Sequence, residues 1–180
     1  MIVIADDITG AAEIAGIAFS KGHQVSLVCG EGVATNQITV IATDTRSMTE
    51  AEAIAETKQL SFLISHHSSL IYKKTDSALR GHVVAELEAL MQATGYKRAV
   101  YLPANPSKGR IVRNGIYYIG ETPIAETAFS YDPEFPAKTS ALRERFPDAE
   151  EKGIIMPDAE SEEDIRRIIT EYNDGHTLFA

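Results

Sequence analysis

The sequence contains a single cysteine, no tryptophan and no apolar run that approaches the roughly 20 residues of a membrane-spanning helix. One cysteine, Cys29, excludes a disulfide within the chain and is typical of a reducing compartment. We interpret Cys29 as a small apolar residue packed in a strand. A signal peptide is not indicated either, because acidic residues follow residues 1–5 and no basic residue precedes them. We therefore expect a cytoplasmic protein that does not bind membranes.

Basic residues are also scarce. The chain has 17 lysines and arginines against 26 aspartates and glutamates, which gives a net charge of −9 at pH 7. Such an acidic chain has no general affinity for nucleic acid or for an anionic membrane surface, so an anion would have to bind at a local cluster of cations. Hydrophobic residues make up 44% of the chain, which is ordinary for a protein with a packed core. We expect a folded protein whose ligand is a small molecule.

Several motifs that bind nucleotides or present nucleophiles are absent. The sequence contains no Gly-x-x-x-x-Gly-Lys-Ser/Thr loop, no Gly-x-Gly-x-x-Gly and no Gly-x-Ser-x-Gly. Asp6, Asp7 and Asp44 are placed like the acidic residues of a response-regulator receiver, but only the late Lys108 stands where a receiver needs its lysine. A phosphatase with an aspartyl nucleophile needs acidic residues two positions apart, and here they are adjacent. The chain is therefore not expected to bind a nucleotide by itself.

Short apolar segments alternate with amphipathic ones along most of the chain. This alternation predicts β-α-β units, and so an α/β fold with a mostly parallel open sheet and flanking helices. The predicted strands are residues 1–5, 24–30, 39–44, 69–74, 98–104 and 153–157, with a further strand starting at 176–180. The predicted helices are residues 10–21, 48–64, 83–94, 138–146 and 161–173. Glycine, asparagine and proline interrupt residues 109–136, which we interpret as a hairpin and loop excursion after the fifth strand.

Polar groups follow four of the predicted strands. Ligands of open parallel sheets bind beyond the carboxyl ends of the strands, so we expect these groups to converge at one edge. Asp6 or Asp7 can cap the following helix, and the second carboxylate can then bind a hydroxyl group or a metal ion. Arg46, after the third strand, presents a bidentate fork that suits a carboxylate or a phosphate, although an exposed loop arginine has the same sequence pattern.

The segment Lys73–Gly81 gathers three cations in an acidic chain, where a predicted strand meets a predicted helix. Asp76 or Ser77 is expected at the start of that helix, either only as its N-cap or as an acceptor and a donor for ligand hydroxyls. The helix N-terminus, Arg80 and one of the two lysines favour an anion. Together these groups suit a small polyhydroxylated acid.

Three further features allow both a structural and a functional interpretation. The loop after the fifth strand offers Arg110 as a ligand contact, or only as part of a basic turn. His66 and His67 are expected at a helix end, where imidazole interacts favourably with the helix dipole, rather than at a metal ion. His82 is interpreted as a surface residue at the start of a helix.

Four motifs, in order along nearly the whole chain, resemble those of the four-carbon acid sugar kinases. ADDITGAAEIAG is similar to the family's opening Ala-Asp-Asp-Leu-Thr-Gly-Ala motif, and TDTRSM to its Thr-x-Thr/Ser-Arg element. YKKTDSALRGHVVAELEAL resembles the Lys-Lys-x-Asp-Ser-x-x-Arg-Gly signature, with His82 where the family usually has asparagine. PANPSKGR resembles the Pro-Ala-x-Pro-x-x-Gly-Arg stretch. The resemblance is to the family's N-terminal, substrate-binding domain.

This resemblance implies that residues 1–180 are the sugar-acid substrate-binding domain of a two-domain kinase, without its C-terminal nucleotide-binding domain. The implied reaction is phosphorylation of a hydroxyl group of threonate, erythronate or an oxo-tetronate by ATP. ATP and Mg²⁺ would be bound by the full-length enzyme and not by this chain. The implied partners are the sugar acid and the missing ATP-binding domain, in cis or as a separate chain. An exposed docking face would also favour a homodimer.

The resemblance and the residue chemistry together suggest individual roles. Arg46, Lys74 and Arg80 are expected to hold the carboxylate of the sugar acid, with Arg110 as a further contact. Hydroxyl groups are expected to bind Asp7, Asp76 and Ser77, and Asp6 is expected as a further substrate contact. Either Asp7 or Asp76 is expected to assist deprotonation of the accepting hydroxyl. The alternatives are a non-catalytic sugar-acid binding module, a truncated remnant without activity, and one chain of a split enzyme.

Overall fold

The computed structural model describes residues 1–30, 37–64 and 70–180, and only the helical backbone of residues 61–64. The chain divides into two compact units. The first comprises Met1–Asp76 and Gly81–Tyr96, and the second comprises Ser77–Arg80 and Lys97–Ala180. The two histidines predicted at a helix end, His66 and His67, lie outside the described residues. No helix within the described ranges combines the length and the apolar character that crossing a bilayer requires.

The first unit contains a parallel sheet and three helices. Its strands are β1 (Ile2–Ala5), β2 (Val25–Cys29), β3 (Ile38–Ala42) and β4 (Ile71–Lys74), in the order β2-β3-β1-β4. Its helices are α1 (Ile8–Ser20), α2 (Glu50–Ile64) and α3 (Val83–Thr94). All four residues of β1 are buried, as expected for a central strand covered on both faces. Its residues Val3 and Ala5 form a buried cluster of small and β-branched side chains with Ala11, Val40 and Ala42.

Side chains and a glycine define the ends of these helices. At the start of α2, the amide of Thr49 donates to Glu52 Oε2 at 2.9 Å, and the Glu52 amide donates to Thr49 Oγ1 at 3.4 Å. This reciprocal pair satisfies two amides that the helix itself leaves without partners. α3 ends at Gly95, which has a φ of 83°. Glycine adopts this left-handed conformation without a steric penalty, so it terminates the helix.

The second unit combines a short parallel sheet with an antiparallel one. Its strands are β5 (Arg98–Val100), β6 (Arg110–Arg113), β7 (Ile116–Ile119), β8 (Thr122–Pro123), β9 (Ile154–Ile155) and β10 (Thr177–Phe179). β10, β5 and β9 pair in parallel in that order, and β6, β7 and β8 form the antiparallel sheet. Helices α4 (Leu142–Arg145) and α5 (Glu162–Tyr172) complete it. Val100, Ala159 and Ile168 form its buried cluster.

The predicted fold class is confirmed: both units contain parallel sheets with flanking helices, and a hairpin follows the fifth strand. The helix predicted over residues 138–146 is a single turn. The interpretation of Cys29 as a packed residue is wrong, because Cys29 lies in β2 but is exposed. Among the described strands β2 pairs only with β3, so its side chains are less covered than those of β1.

The expectation that a helix starts at Asp76 or Ser77 is also wrong. α3 begins at Val83, and His82 occupies its N-cap position without a side-chain bond to the helix backbone. Two residues of the intervening turn have left-handed backbones, Leu79 with a φ of 62° and Gly81 with a φ of 86°. A right-handed helix cannot run through such residues. Neither Asp76 nor Ser77 therefore lies at a helix N-terminus.

Candidate functional site

Of the four polar strand ends that the sequence predicts to converge, those after β1, β3 and β4 lie together in the first unit, and the residues after β5 belong to the second unit. β1 pairs in register with β3 on one side and β4 on the other, so the residues after these strands start at the same level. Backbone bonds continue past the strands: the Asp6 amide donates to Lys74 O at 3.4 Å, and the Thr43 amide donates to Ala5 O at 3.0 Å. The predicted site residues that belong to the second unit are Ser77, Arg80 and Arg110.

Arg46 is the centre of a cluster of three carboxylates in the first unit. Its Nε donates to Asp6 Oδ2 at 2.9 Å, and its Nη1 donates to Asp7 Oδ2 at 2.7 Å. Its Nη2 lies 3.5 Å from Asp76 Oδ1. We call Asp6, Asp7, Arg46 and Asp76 the Arg46 cluster. Because each guanidinium nitrogen faces a protein carboxylate, the structure gives Arg46 a different set of contacts from the ligand clamp suggested by the sequence.

The environment of Arg46 favours its charged form. Burial alone would lower the pKa of its guanidinium, but the hydrogen bond to Asp6 and the charges of Asp6, Asp76 and Asp7 outweigh burial, so the pKa is raised. A short 3₁₀ turn, Thr45–Ser47, carries the arginine, and the Arg46 amide donates to Asp6 O at 3.2 Å. Backbone and side chain of Arg46 therefore both bind the residue that follows β1.

Asp7 has a structural role at both of its carboxylate oxygens. It is the N-cap of α1, where Oδ1 accepts a 2.7 Å hydrogen bond from the Gly10 amide, while Oδ2 accepts from Arg46. Glycine at position 10 leaves room for this bond, because a Cβ there would lie 2.9 Å from Asp7 Oδ1 and 3.4 Å from Lys74 Nζ. The prediction that one of the two adjacent aspartates caps the following helix is therefore confirmed, and that residue is Asp7.

Asp6 has a different environment from Asp7. The residue is 3% exposed, and its Oδ1 is buried with no hydrogen-bond partner. Burial raises the pKa of the Asp6 carboxyl above its ordinary value. The hydrogen bond from Arg46 and the charges of Lys73 and Arg46 oppose the rise, and the charge of Glu86 adds to it. Gly81 packs against this carboxylate, since a Cβ on Gly81 would lie 3.4 Å from Asp6 Oδ2.

A buried ion pair interacts electrostatically with Asp6 of the Arg46 cluster. Its two residues are not both among the predicted site residues. Lys73 Nζ donates to Glu86 Oε2 at 2.6 Å, and neither side chain is more than 2% exposed. The same Glu86 oxygen accepts a 2.8 Å hydrogen bond from Thr45 Oγ1, whose oxygen lies 2.9 Å from Thr43 Oγ1. Thr43 in turn donates to Ala5 O at 3.0 Å. This chain of bonds connects α3 and β4 to the turn that carries Arg46.

Two signals in the sequence could have revealed this pair. Glu86 lies three residues after Val83 and four before Leu90, so it falls on the same helical face as these buried residues. Lys73 is two residues after the buried Ile71, and side chains two apart on a strand point to the same side. A lysine and a glutamate on faces that are both otherwise buried indicate an internal ion pair, since an unpaired buried charge is too costly.

Lys74 and His82 make contacts inside the first unit. Lys74 Nζ donates to Thr75 O at 2.7 Å and lies 3.8 Å from Glu13 Oε2. His82 Nε2 lies 2.8 Å from Met48 O, and the His82 side chain is only 14% exposed. The interpretation of His82 as a surface residue is therefore wrong, because its ring packs on the segment that precedes α2.

In the second unit, the turn at Ser77–Arg80 is held through its main chain. Ser77 O accepts hydrogen bonds from Arg110 Nη1 and from the Tyr117 hydroxyl, both at 2.8 Å. Arg145 binds Leu79 O with Nε at 3.2 Å and Nη2 at 2.9 Å, and it also binds the carbonyls of Phe135 and Pro136. Arg110 is thus brought to Ser77, although it binds a carbonyl rather than an anion.

Arg80 pairs with an acidic residue of its own unit. Its Nη1 lies 3.5 Å from Asp132 Oδ2, and the side chain is 32% exposed. The Asp132 Oδ1 accepts bonds from the amides of Phe135 and Glu134 at 2.8 and 3.1 Å. The bond from the Phe135 amide is the largest influence that lowers the pKa of Asp132, with further lowering by the Glu134 amide and by Arg80. Of the two predicted site cations in this unit, Arg80 contacts a carboxylate, whereas Arg110 binds a main-chain carbonyl.

Metal-ligating side chains do not gather in groups of three or more in the part of the chain that the structure describes. No group of three or more histidine, cysteine, aspartate or glutamate side chains in residues 1–30, 37–60 and 70–180 has the arrangement that a metal ion needs. The three carboxylates that do meet surround a guanidinium, whose positive charge would repel a cation.

Comparison with known proteins identifies related sequences. The family described as the sugar-binding N-terminal domain matches residues 1–147. A D-threonate kinase of Salmonella typhimurium is 34% identical over 149 residues, which cover 80% of this chain and 35% of the kinase. A D-threonate kinase of Bordetella bronchiseptica is 32% identical over 78% of this chain and 37% of its own length. A 3-oxo-tetronate kinase of Actinobacillus succinogenes is 31% identical over 84% and 38%. The chain matches just over a third of each of these curated relatives.

Solved structures show the same fold. A crystal structure of a Bordetella bronchiseptica domain of unknown function, with bound citrate and as a domain-swapped dimer, has a TM-score of 0.85 at 24% identity. It covers 99% of this chain and 52% of its own. A Haemophilus influenzae protein has a TM-score of 0.85 at 20% identity, covering 99% of this chain and 53% of its own. At these identities the likeness establishes the fold alone.

Proposed function

Because the chain belongs to the family of sugar-binding N-terminal domains, we propose that it binds a four-carbon sugar acid as the substrate-binding half of an ATP-dependent kinase. The observation that carries this proposal is the Arg46 cluster, which gathers three carboxylates at the ends of parallel strands. Carboxylates accept hydrogen bonds from hydroxyl groups, and the carboxyl ends of parallel strands are where such folds bind ligands. The names of the related kinases, D-threonate and 3-oxo-tetronate, suggest the substrate class.

The chemistry of each residue suggests which group of a sugar acid it suits. Hydroxyl groups suit the carboxylates of the Arg46 cluster, and Lys74 beside it suits an anionic end. In the second unit, Arg80 and Arg110 stay the predicted contacts for a carboxylate, and Ser77 for a hydroxyl. Asp7 is less suited than the sequence suggests to take a proton from a hydroxyl, because both of its oxygens already accept hydrogen bonds.

ATP and Mg²⁺ belong to the part of the kinase that this chain does not match. The chain spans just over a third of the length of its curated relatives, and its sequence has no phosphate-binding loop. We propose that the nucleotide-binding part acts either in cis or as a separate chain. We place the reaction in the cytoplasm, as the single cysteine suggests.

The direct test is calorimetric titration of the purified chain with D-threonate, L-threonate and D-erythronate. We expect saturable binding of one acid, weakened about tenfold or more by Arg80→Ala, since charge-assisted hydrogen bonds are among the stronger polar contacts. Arg143→Ala is the matched control, because it removes an arginine of the same unit whose side chain is 85% exposed. Failure of all three acids to bind the wild-type chain would contradict the proposed substrate class.

The second candidate is a sugar-acid binding module that catalyses nothing. The family match favours it, because the family is described as a sugar-binding domain and covers residues 1–147. Saturable sugar-acid binding without ATP hydrolysis, also in the presence of the nucleotide-binding part, would support this reading. Light scattering would show in parallel whether the chain dimerises, as the Bordetella bronchiseptica domain does in its crystal.

A further inference from the structure

The three carboxylates of the Arg46 cluster differ in what their oxygens contact. Asp7 accepts from the Gly10 amide and from Arg46, one bond on each oxygen. Asp6 accepts from Arg46 Nε through Oδ2, but its buried Oδ1 has no hydrogen-bond partner. A carboxylate oxygen without a partner is costly inside a protein, and such a group calls for a functional explanation. Asp6 is therefore the member of the cluster that the protein fold alone does not satisfy.

The charges around Asp6 favour a neutral hydrogen-bond donor over an anion. Within the cluster one guanidinium faces three carboxylates, which leaves two net negative charges when all are ionised. The nearby Lys73 and Glu86 from β4 and α3 are paired with each other and largely cancel. An approaching ligand carboxylate would be repelled, whereas a hydroxyl group would donate to Oδ1 and supply the missing partner.

We propose that Asp6 Oδ1 accepts a hydrogen bond from a hydroxyl group of the bound sugar acid, and that the charge of Asp6 makes this binding depend on pH. The proposal rests on the proposed function. In this arrangement Arg46 positions Asp6 and does not hold the ligand's carboxylate, because the guanidinium nitrogens of Arg46 bind Asp6 and Asp7. The ionised form of Asp6 is the form that accepts the hydroxyl's hydrogen. Protonation of Asp6 therefore weakens binding.

Asp7 provides the matched control. Asp6→Asn and Asp7→Asn each remove one negative charge and alter one contact with Arg46, but only Asp6→Asn removes the oxygen that lacks a partner. The experiment is calorimetric titration of the full chain and both variants with D-threonate, and with D-erythronate if D-threonate does not bind, from pH 4 to pH 8. Titration of the ligand's own carboxyl is common to all three proteins, so it cancels in the comparison.

The wild-type affinity is expected to fall as the pH is lowered through the raised pKa of Asp6. Asp7→Asn should keep this dependence. Asp6→Asn should bind about tenfold or more weakly at pH 8, the expected loss for one hydrogen bond to a charged group, and should lack the wild-type dependence. The proposal is overturned if Asp6→Asn keeps the wild-type affinity and pH dependence. If no sugar acid binds the wild type at any pH, the proposed function fails instead.

A second measurement does not depend on the variant being folded. The carboxyl ¹³C resonances of the wild-type aspartates are followed against pH with and without the sugar acid that binds. A hydroxyl donor on Oδ1 stabilises the ionised form, so the ligand should lower the pKa of Asp6 and leave that of Asp174 unchanged, because Asp174 pairs with Arg98 and neither is a predicted ligand contact. An Asp6 pKa that the saturating ligand does not move would overturn the proposal.

Discussion

Two groups of cationic side chains, one in each unit, have different kinds of partner. In the first unit, cations meet acidic side chains: Arg46 faces three carboxylates and Lys73 is buried against Glu86. In the second unit, Arg110 and Arg145 donate to main-chain carbonyls of the turn Ser77–Arg80 and its surroundings. The first arrangement depends on the charge of each partner, and the second does not, because a carbonyl does not titrate.

This difference separates a cluster that can respond to a ligand from one that stabilises a backbone. Carboxylates gain or lose protons and can accept bonds from a ligand, so the Arg46 cluster has more than one possible state. The carbonyl of Leu79 needs its arginine for a different reason, because Leu79 is buried in a left-handed conformation that most residues avoid. Arg145 helps to maintain that conformation beside Arg80.

The largest effect is expected from breaking the buried pair of the first unit. Glu86→Leu leaves the Lys73 ammonium group buried without its partner, which should lower the free energy of unfolding by about 3–5 kcal/mol. The double variant Lys73→Met/Glu86→Leu should recover most of this loss, because it removes both charges. Urea denaturation of the three proteins measures both values. A loss of less than about 1 kcal/mol for Glu86→Leu would mean that Lys73 is not held by this pair.

Removal of the carbonyl-binding arginine of the second unit should have the next largest effect. Arg145→Met leaves Leu79 O without its two guanidinium bonds, and we expect a loss of about 2–3 kcal/mol in the free energy of unfolding. Arg143→Met, two residues away on α4, is the control, because Arg143 is 85% exposed and should change stability by less than about 0.5 kcal/mol. Equal losses in the two variants would contradict the special role of Arg145.

A smaller effect is expected from the Tyr117 hydroxyl. Tyr117 is fully buried, and its hydroxyl donates to Ser77 O at 2.8 Å. Tyr117→Phe should cost about 1 kcal/mol, since Ser77 O keeps its bond from Arg110. The loss should be the same at pH 5 and pH 8, because the bond joins a neutral hydroxyl group to a main-chain carbonyl. A loss that changes between these two pH values would show that the contact is linked to a titrating group.

The last prediction concerns the pH dependence of stability rather than its size. Burial raises the pKa of Asp6 above the ordinary value of 3.8, so the folded state holds this proton more tightly than the unfolded state. The resulting stabilisation is fully present below pH 3.8 and is lost as the pH rises through the folded pKa. Asp6→Asn should lack this decrease. Thermal unfolding of both proteins between pH 3.5 and pH 7 measures the difference, and parallel curves would be the contrary result.

Much of the fold could be predicted because it depends on local patterns. Buried runs such as residues 2–5 and helical periodicity over residues 83–94 identify β1 and α3, and the elements alternate as parallel sheets require. The helical pattern predicts α3 over residues 83–94, where the structure has it, but its N-cap is not Asp76 or Ser77, because two left-handed residues, Leu79 and Gly81, lie in the turn between them. For a leucine this conformation has no sequence signature, since it depends on bonds from the distant Arg145.

The sequence by itself determined the candidate residues after β1, β3 and β4, because chain order and strand direction place them at the same end of a parallel sheet. It also determined that one of the adjacent aspartates would cap α1. Only the tertiary structure decided how these residues pair. Arg46 binds Asp6 and Asp7 from about 40 positions away, and Lys73 finds Glu86 across a strand and a helix. Such contacts depend on packing between distant segments, which local propensity does not encode.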